Sequence, residues 1–454
     1  MSSVSSTTIP APVLPPGPRS LSPLGVARRY QRDPFAFVQS CRRDYGDIVH
    51  LRFFHVHSVF VYHPDLIEEV LVTKQRHFIK PGVMRSEFLQ RLVGNGLLTS
   101  EGDFWRRQRR LAQPAFHRDR INNYGQVMVD FADRMAHAWQ PGQTRDIHQD
   151  MMKLTLEVVA KTLFDADVTA QTDAVGAALR TAIEPFEYSA SLRWLIDNRF
   201  PTPANRRNLR ATQHLNNIVY KIIDERRQVD EDRGDLLSML LAARDEDGSR
   251  MDDRQLRDET MTIFLAGHET TALALTWAWY LLATHPEAEA KLHTELDGAL
   301  GNRPPQFSDL SALPFTEMIV KEALRLYPPA WSIGRGAAED CEIGGFRIPA
   351  RTQVFMFQWA IQRDPRYFEQ PDAFMPERWT PEFGRQLPRF AWFPFGGGPR
   401  LCIGYSFAMM EAVLILATIA QKYKLSLVPG QTIRPVPSIT LRPEHGIHVR
   451  LEKR

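Results

Sequence analysis

The stretch Asp253–Ala283 constrains the fold more than any other part of the 454-residue chain. It carries one unbroken helical pattern, with Asp252 or Asp253 placed to cap its start and His285-Pro286 to stop it. At about 1.5 Å per residue such a helix is roughly 46 Å long. A domain built from this chain has an expected radius of gyration of about 22 Å. The helix therefore crosses the whole domain. Its second half, Ala272–Ala283, is apolar on every face and has to be buried on every side. The rest of the chain must pack around it.

Shorter elements follow from the same patterns. Ile48–Phe53 and Ser58–Tyr62 are β-rich runs that read as a hairpin. Pro64 opens a helix over Asp65–Val72. Glu101–Leu111, Arg145–Phe164 and Leu209–Arg227 are helical, and the charged run Gln228–Asp235 is a loop. Pro286–Leu300 and Phe315–Leu326 are two further helices, the second stopped by Pro328-Pro329. Glu342–Met356 reads as a hairpin turning at Gly344-Gly345, and Ile403–Lys422 as the last helix. Between these two, prolines fall at 365, 371, 376, 381, 388, 394 and 399. So long a stretch with little regular structure is functional or disordered. Its aromatics, Phe374, Trp379, Phe390, Trp392, Phe393 and Phe395, argue for packing. Residues 1–25, crowded with proline from Pro10 to Pro18, read as a tail, and residues 26–454 as one domain.

Composition excludes several classes. Lys plus Arg is 56 against 53 acids, so global charge gives no support to a nucleic-acid binder. Cys41, Cys341 and Cys402 are too few and too far apart for a disulfide framework or a paired-cysteine zinc site, which points to a reducing compartment. No apolar run approaches the roughly 20 residues of a membrane span. Met1–Thr8 has neither a basic nor an apolar segment, so no signal peptide or anchor is expected, and the default location is the cytoplasm.

Four places carry chemistry. In Phe395-Gly396-Gly397-Gly398-Pro399-Arg400-Leu401-Cys402-Ile403-Gly404 a glycine-rich loop delivers one cysteine to a helix start, where N–H groups and Arg400 favour a thiolate. A buried free cysteine in a turn is the bland alternative. A phosphate loop fails for want of a following Lys-Ser/Thr, and a nucleophile for want of an assignable histidine. A thiolate ligand to haem iron fits best. In Ala266-Gly267-His268-Glu269-Thr270-Thr271, a glycine, an acid and two threonines interrupt the long apolar helix. Such local rule-breaking marks either a kinked packing site or a functional one, where an acid beside a hydroxyl relays protons. Glu322 and Arg325 share a helix face at i,i+3 on an apolar stripe, which points to a buried pair with Arg378 as a third, structural member. Trp105 and Arg109 share a face at i,i+4, suited to a carboxylate, while Arg106 and Arg110 stay on a neighbouring, solvated face.

Together these elements resemble the cytochrome P450 family of haem-thiolate monooxygenases. The pattern FxxGxRxCxG stands at Phe395, Gly398, Arg400, Cys402 and Gly404, and ExxR at Glu322 and Arg325. The oxygen-helix motif stands at Ala266, Gly267, Glu269 and Thr270, and WxxxR at Trp105 and Arg109. The resemblance runs from about residue 20 to the C-terminus. It implies a mainly α fold with small β-sheets, a triangular prism crossed by the oxygen-binding helix with the cysteine loop on the proximal side. It implies haem b (iron protoporphyrin IX) with Cys402 as proximal ligand and Phe395 packed near the sulfur. Trp105, Arg109, Arg335 and Arg400 would hold the propionates. Glu269 and Thr270 would deliver protons for the activation of O₂. Gln362 departs from the histidine common before Arg363-Asp364-Pro365, without touching a catalytic position.

Only 52 residues follow Cys402, too few for a flavin or iron–sulfur domain, so electrons are expected from a separate ferredoxin or flavodoxin with its reductase. An exposed Arg106/Arg107/Arg110 patch suits an acidic partner. Phe264, Ala266, Thr270, Trp331, Ser332 and Ile333 are expected in the distal pocket, with loops from Lys80–Leu98 and Ala182–Phe200. Lys80, Arg85 or Arg91 could meet a substrate carboxylate. The substrate class is hydrophobic: a fatty acid, a terpenoid or a carotenoid. Leu324–Trp331 and Thr440–Pro443 are similar to bacterial members acting on carotenoids or long-chain fatty acids. The rival functions are a peroxide-driven peroxygenase, a haem sensor or carrier, and a haem-free interaction protein.

Overall fold

The computed structural model describes residues 13–18, 25–53, 56–166, 172–185, 200, 202–228, 233–244 and 248–454. The long helix spans Asp253–Thr284, and Asp252 caps it by accepting the Gln255 N–H at 2.7 Å. Its second half is buried as its composition requires: Leu273, Leu275, Trp277 and Ala278 are fully enclosed. Trp277 stacks on Tyr327 at 4.2 Å and donates its indole N–H to the Leu441 carbonyl at 3.0 Å. The Ile147–Phe164 helix lies along this axis, and the Pro314–Leu326 and Tyr405–Ala420 helices pack against it. Their shared interior is the main core of the molecule. Among the described residues no helix is long and apolar enough to cross a membrane.

The strands lie at the periphery: β1 (Ile48–Phe53), β2 (Val56–Val61), β3 (Phe78–Ile79), β4 (Thr144–Asp146), β5 (Ile333–Ala337), β6 (Cys341–Ile343), β7 (Phe346–Ile348), β8 (Gln353–Met356), β9 (Tyr423–Leu427), β10 (Pro435–Pro437), β11 (Leu441–Pro443) and β12 (His448–Lys453). The largest sheet has the order β1-β2-β8-β5-β3, with β2 and β8 parallel. A three-stranded sheet, β4-β12-β9, and the pairs β6-β7 and β10-β11 complete the set.

Several element boundaries differ from the sequence reading, each for a local reason. The hairpin expected over Glu342–Met356 ends at Ile348, because Pro349 has no N–H to extend the ladder. Gln353–Met356 then joins the large sheet between β2 and β5. The helix expected from Arg145 starts at Ile147, since Thr144–Asp146 pair with β12 and Asp146 then caps the helix through the His148 N–H at 3.0 Å. The last helix starts at Tyr405, leaving Ile403 and Gly404 in the loop. Part of the expected tail is packed: Pro16 accepts the His50 N–H at 2.8 Å, and Val13 accepts the Arg347 N–H at 3.2 Å. The remainder of that tail, residues 1–12 and 19–24, lies outside the described residues.

The proline-rich stretch is packed around one carboxylate. Glu322 is fully buried and accepts five hydrogen bonds: from Arg325 Nε (2.9 Å) and Nη2 (2.8 Å), Arg378 Nε (3.0 Å), Trp379 Nε1 (2.9 Å) and the Met375 N–H (3.0 Å). Arg325, equally buried, donates to the carbonyls of Gln362, Pro371 and Ala373 at 2.5 to 2.9 Å. Gln362 itself bonds to the Leu324 and Arg325 carbonyls and accepts the Phe393 N–H. The expected triad is thus present, enlarged by Trp379 and by backbone. Removing one member of a buried pair strands the other charge, at a cost of about 3–5 kcal/mol. Arg325→Leu should lose that much stability by chemical denaturation; a loss below about 1 kcal/mol would show that the node does not hold the fold.

Candidate active site

A cavity of about 360 Å³ lies between the middle of the long helix and the glycine-rich loop. Within that stretch of helix Ala266 is exposed and Leu265, Gly267 and Thr270 half-buried, among fully buried neighbours. Ala266, Gly267 and Thr270 line the cavity, with Thr271 and Ala274 below them. Facing them are Phe395, Gly396, Arg400, Cys402, Ile403 and Gly404.

The loop is shaped by close approach. Gly398 has φ +65°, and a Cβ there would meet the Leu71 carbonyl oxygen at 2.0 Å. Gly397 is pressed on the Phe390 ring in the same way. The Cys402 N–H donates to the Phe395 carbonyl at 3.0 Å, and Phe395 sits edge-on to Tyr405. Cys402 opens onto the cavity and is exposed there, in a recess deep enough to desolvate the thiol. Burial pushes the thiol above its ordinary pKa; the Gly404 N–H and Arg109 pull the other way and lose. The thiolate preference expected from the helix start is therefore outweighed by burial, although a thiol that coordinates a metal is deprotonated outright. Gly404 leaves room beside the sulfur, its absent Cβ lying 4.0 Å from Sγ.

Three cations gather at one edge of the cavity: Lys80, Arg335 and Arg400. Glu101 is the carboxylate among them, accepting from Arg400 Nη2 at 2.6 Å and from the Lys80 backbone N–H. Burial, then Arg335 and Arg400, lower the Lys80 pKa to about 7, against the pull of Glu101. Burial and Arg400 lower Arg335 to about 10. So crowded a set of cations is suited to further carboxylates. Trp105 and Arg109 do not line the cavity. Trp105 lies under the Arg400 guanidinium at 3.9 Å, and Arg109 donates to the Leu401 carbonyl at 2.9 Å and to Gln113 at 2.8 Å. They brace the edge and the loop from behind. Arg106 is exposed and paired with Asp103, and Arg110 is exposed beside it.

The helix motif splits into two faces. Thr270 faces the cavity and its hydroxyl donates to the Ala266 carbonyl at 2.8 Å. Glu269, the next residue back, is buried against the C-terminal strands instead. Its Oε1 accepts from Thr440 Oγ1 (2.6 Å) and Arg442 Nε (2.8 Å). Burial alone would raise its pKa; Arg442, Thr440 and His268 outweigh that and hold it below the ordinary value. Gly267 serves packing, since a Cβ there would come within 3.1 Å of Val159 on the Ile147–Phe164 helix.

Of the expected pocket residues, Ala266, Thr270 and Ile333 line the cavity, and Phe264, Trp331 and Ser332 do not. Phe264 is packed against Phe164 and His268. Trp331 is turned into the aromatic cluster of Phe35 and Phe357 and bonded to the Ser438 carbonyl at 2.7 Å. Both are large side chains that the core claims first. Lys80 and Leu98 do reach the cavity, whereas Arg85 and Arg91 do not. Of the segment Ala182–Phe200, residues 186–199 lie outside the described residues. Sequence reasoning missed Arg442 and Thr440 as partners of Glu269; an unassigned buried acid was the available signal.

A thiol on a glycine loop, an apolar slot and a cationic edge are the parts of a haem-thiolate protein. The cytochrome P450 family model matches residues 15–450, and the chain belongs to that family. It is 40% identical over 435 residues to cyclooctatin synthase of Streptomyces melanosporofaciens, covering 93% of this chain and 92% of that one. It is 36% identical over 438 residues to pentalenene oxygenase of Streptomyces avermitilis, covering 96% and 97%. The solved structure of retinoic acid bound cyanobacterial CYP120A1 superposes with a TM-score of 0.87 at 26% identity, covering 98% of this chain and 100% of that one. The chain is a monooxygenase-type oxidoreductase, and its family implies a haem-thiolate cofactor.

The residues present fit that cofactor: one thiol faces an apolar cavity whose cationic edge has room for more negative charge. A carboxylate arriving beside Lys80 raises its pKa, so binding above about pH 7 takes up a proton. Haem affinity of the apo-protein should therefore fall from pH 7 to pH 9. Lys80→Gln should weaken binding at pH 7 and flatten that slope in haem-reconstitution titrations; an unchanged slope counts against Lys80 as a holder.

Proposed function

We propose that this chain hydroxylates a neutral terpenoid, using haem b and electrons from a separate ferredoxin or flavodoxin with its reductase. Residues 26–454 act as one catalytic domain, in the cytoplasm. The observation that carries the substrate class is the distribution of charge. Among the described residues the ionisable side chains in the cavity wall are Lys80, Arg335, Arg400 and Cys402, all taken up by the cofactor in this reading. The remaining described wall, with Leu98, Leu163, Ile263, Ala266, Ala274, Ala330 and Ile333, offers no group to hold a fatty-acid carboxylate. Relatives named for cyclooctatin and pentalenene oxidation support the terpenoid choice over a carotenoid or fatty acid.

Cys402 would bind the iron, and Lys80, Arg335 and Arg400 would hold the propionates, with Trp105 and Arg109 behind them. When bound, haem supplies reductive activation of O₂ and insertion of one oxygen atom into a C–H bond. The chain does the rest. Apolar walls orient the substrate and exclude water. Thr270 holds a proton at Oγ1 on the cavity face, lent to the Ala266 carbonyl at rest. Glu269 re-protonates it from behind, which requires its carboxylate to turn from Arg442 and first take up a proton from solvent. The exposed Arg106 and Arg110 belong to the face that an acidic electron donor meets.

Titrating the ferric protein should give a saturable shift of the Soret band to high spin with a neutral polycyclic terpene, and none with a fatty acid of equal carbon number. The reverse result overturns the substrate class. Thr270→Ala should keep the substrate-induced shift but divert reduced oxygen to peroxide, lowering coupling about tenfold or more. Undiminished coupling would remove Thr270 from the relay.

A further inference from the structure

Gly94–Ser100 passes between the long helix and Arg400 and carries Leu98 into the cavity wall. Polar contacts hold it from both sides. On the helix side Asp258 Oδ2 accepts the Asn95 N–H at 2.8 Å and Glu259 Oε2 accepts the Leu97 N–H at 2.9 Å. On the other, Arg400 Nη2 donates to the Ser100 carbonyl at 2.8 Å and Nη1 reaches the Leu97 carbonyl at 3.5 Å. The two peptide groups flanking Leu97 are thus engaged by the long helix and by the cysteine loop. The approach needs glycine twice: a Cβ on Gly94 would lie 2.0 Å from the Asp258 carboxylate, and one on Gly96 2.3 Å from Thr262 Oγ1. Asp258 is in turn paired with Arg257 at 2.8 Å, which donates to the Leu92 carbonyl and to Asn216 of the Pro203–Arg227 helix.

Glu259 is the odd member. It is fully buried, Oε1 has no hydrogen-bond partner among the described residues, and burial pushes its carboxyl up to about 8. A buried acid with one oxygen unbonded destabilises the fold, and packing alone would be better served by leucine. Its one evident task is the Leu97 N–H.

We propose that Asp258 and Glu259 are positioning residues that set how far Leu98 projects into the cavity, and so the bulk of substrate the enzyme accepts. The inference rests on the cavity being the substrate pocket, and not on the substrate being a terpenoid. Neither residue touches the reacting atoms.

The test uses the holoenzyme and ligands that bind whatever the natural substrate is: imidazole and alkyl- and aryl-imidazoles of rising bulk, read by the ferric Soret shift. The reduced CO spectrum and the melting curve report thiolate ligation and folding. Glu259→Ala removes the acceptor and should change the dissociation constant of the bulkiest ligands about tenfold while leaving imidazole and the CO spectrum unaltered. Glu259→Gln keeps an acceptor and should stay within about twofold of the parent across the series. Leu98→Ala should reproduce the changed ranking, and the double variant should add little to either single one. The proposal fails if folded Glu259→Ala keeps the parent ranking, or if Glu259→Gln is as altered as Glu259→Ala. It also fails if Leu98→Ala leaves the ranking unchanged, a result that stands even where Glu259→Ala does not fold.

Discussion

The Glu322 carboxylate gathers Arg325, Arg378, Trp379 and a main-chain N–H into one buried knot, and the proximal half of the molecule is arranged by it. A carboxylate removed from water needs its lone pairs filled, and the five donors fill them. Four of the five come from side chains and one from the Met375 backbone, so the helix end at Leu326 and the chain at 375–379 must meet there. Arg325 extends the knot to the carbonyls of residues 362, 371 and 373. A long irregular segment, which regular hydrogen bonding cannot hold, is thereby fixed by side chains. The cysteine loop follows directly from it.

The long helix supplies the opposite constraint. Its second half is dry and packed, and its middle opens onto the cavity through small residues, Ala266 and Gly267. A helix turns 100° per residue, so the Glu269 and Thr270 side chains leave it in different directions. Thr270 therefore has the cavity, and Glu269 has Arg442 and Thr440. Separation of the acid from the hydroxyl is a consequence of helical geometry. It keeps a charged carboxylate out of the apolar space while leaving it one residue away.

Motif positions were legible in the sequence where chemistry and backbone rules coincide. Cys402 with its glycines, the Glu322–Arg325 spacing and the broken pattern at 266–271 each violate what packing alone would choose, and each lies where expected. The long helix was legible because both its ends carry stop signals and its second half is uniformly apolar. Pocket membership was not. Phe264 and Trp331 are apolar and near the motifs, yet whether a large side chain turns to a core or to a cavity depends on partners distant in sequence, such as Phe164 and Phe35. Trp105 and Arg109 carry the expected pattern, but Arg400 lies over the Trp105 ring and Arg109 is bonded to the Leu401 carbonyl, so neither lines the cavity. Lys80 stood among basic loop residues that are usually solvated, and only the fold shows it enclosed with Arg335 and Arg400.

The cationic edge ties these constraints together. Arg400 stacks on Trp105, bonds to Glu101 and donates to the Ser100 carbonyl, so one guanidinium joins the cysteine loop, the helix from Gly102 and the segment that bears Leu98. Planar donors in a fixed fork allow this; an ammonium in the same place could not serve three directions with defined geometry. Arg400 stands two residues before Cys402, so a line of hydrogen bonds runs from the sulfur loop to Ser100 and Leu97, and from Leu97 to Glu259 on the long helix. The two walls of the cavity are thus bridged by a short peptide segment bonded to both. Its glycines, at 94 and 96, are as much a part of the site as those beside the cysteine.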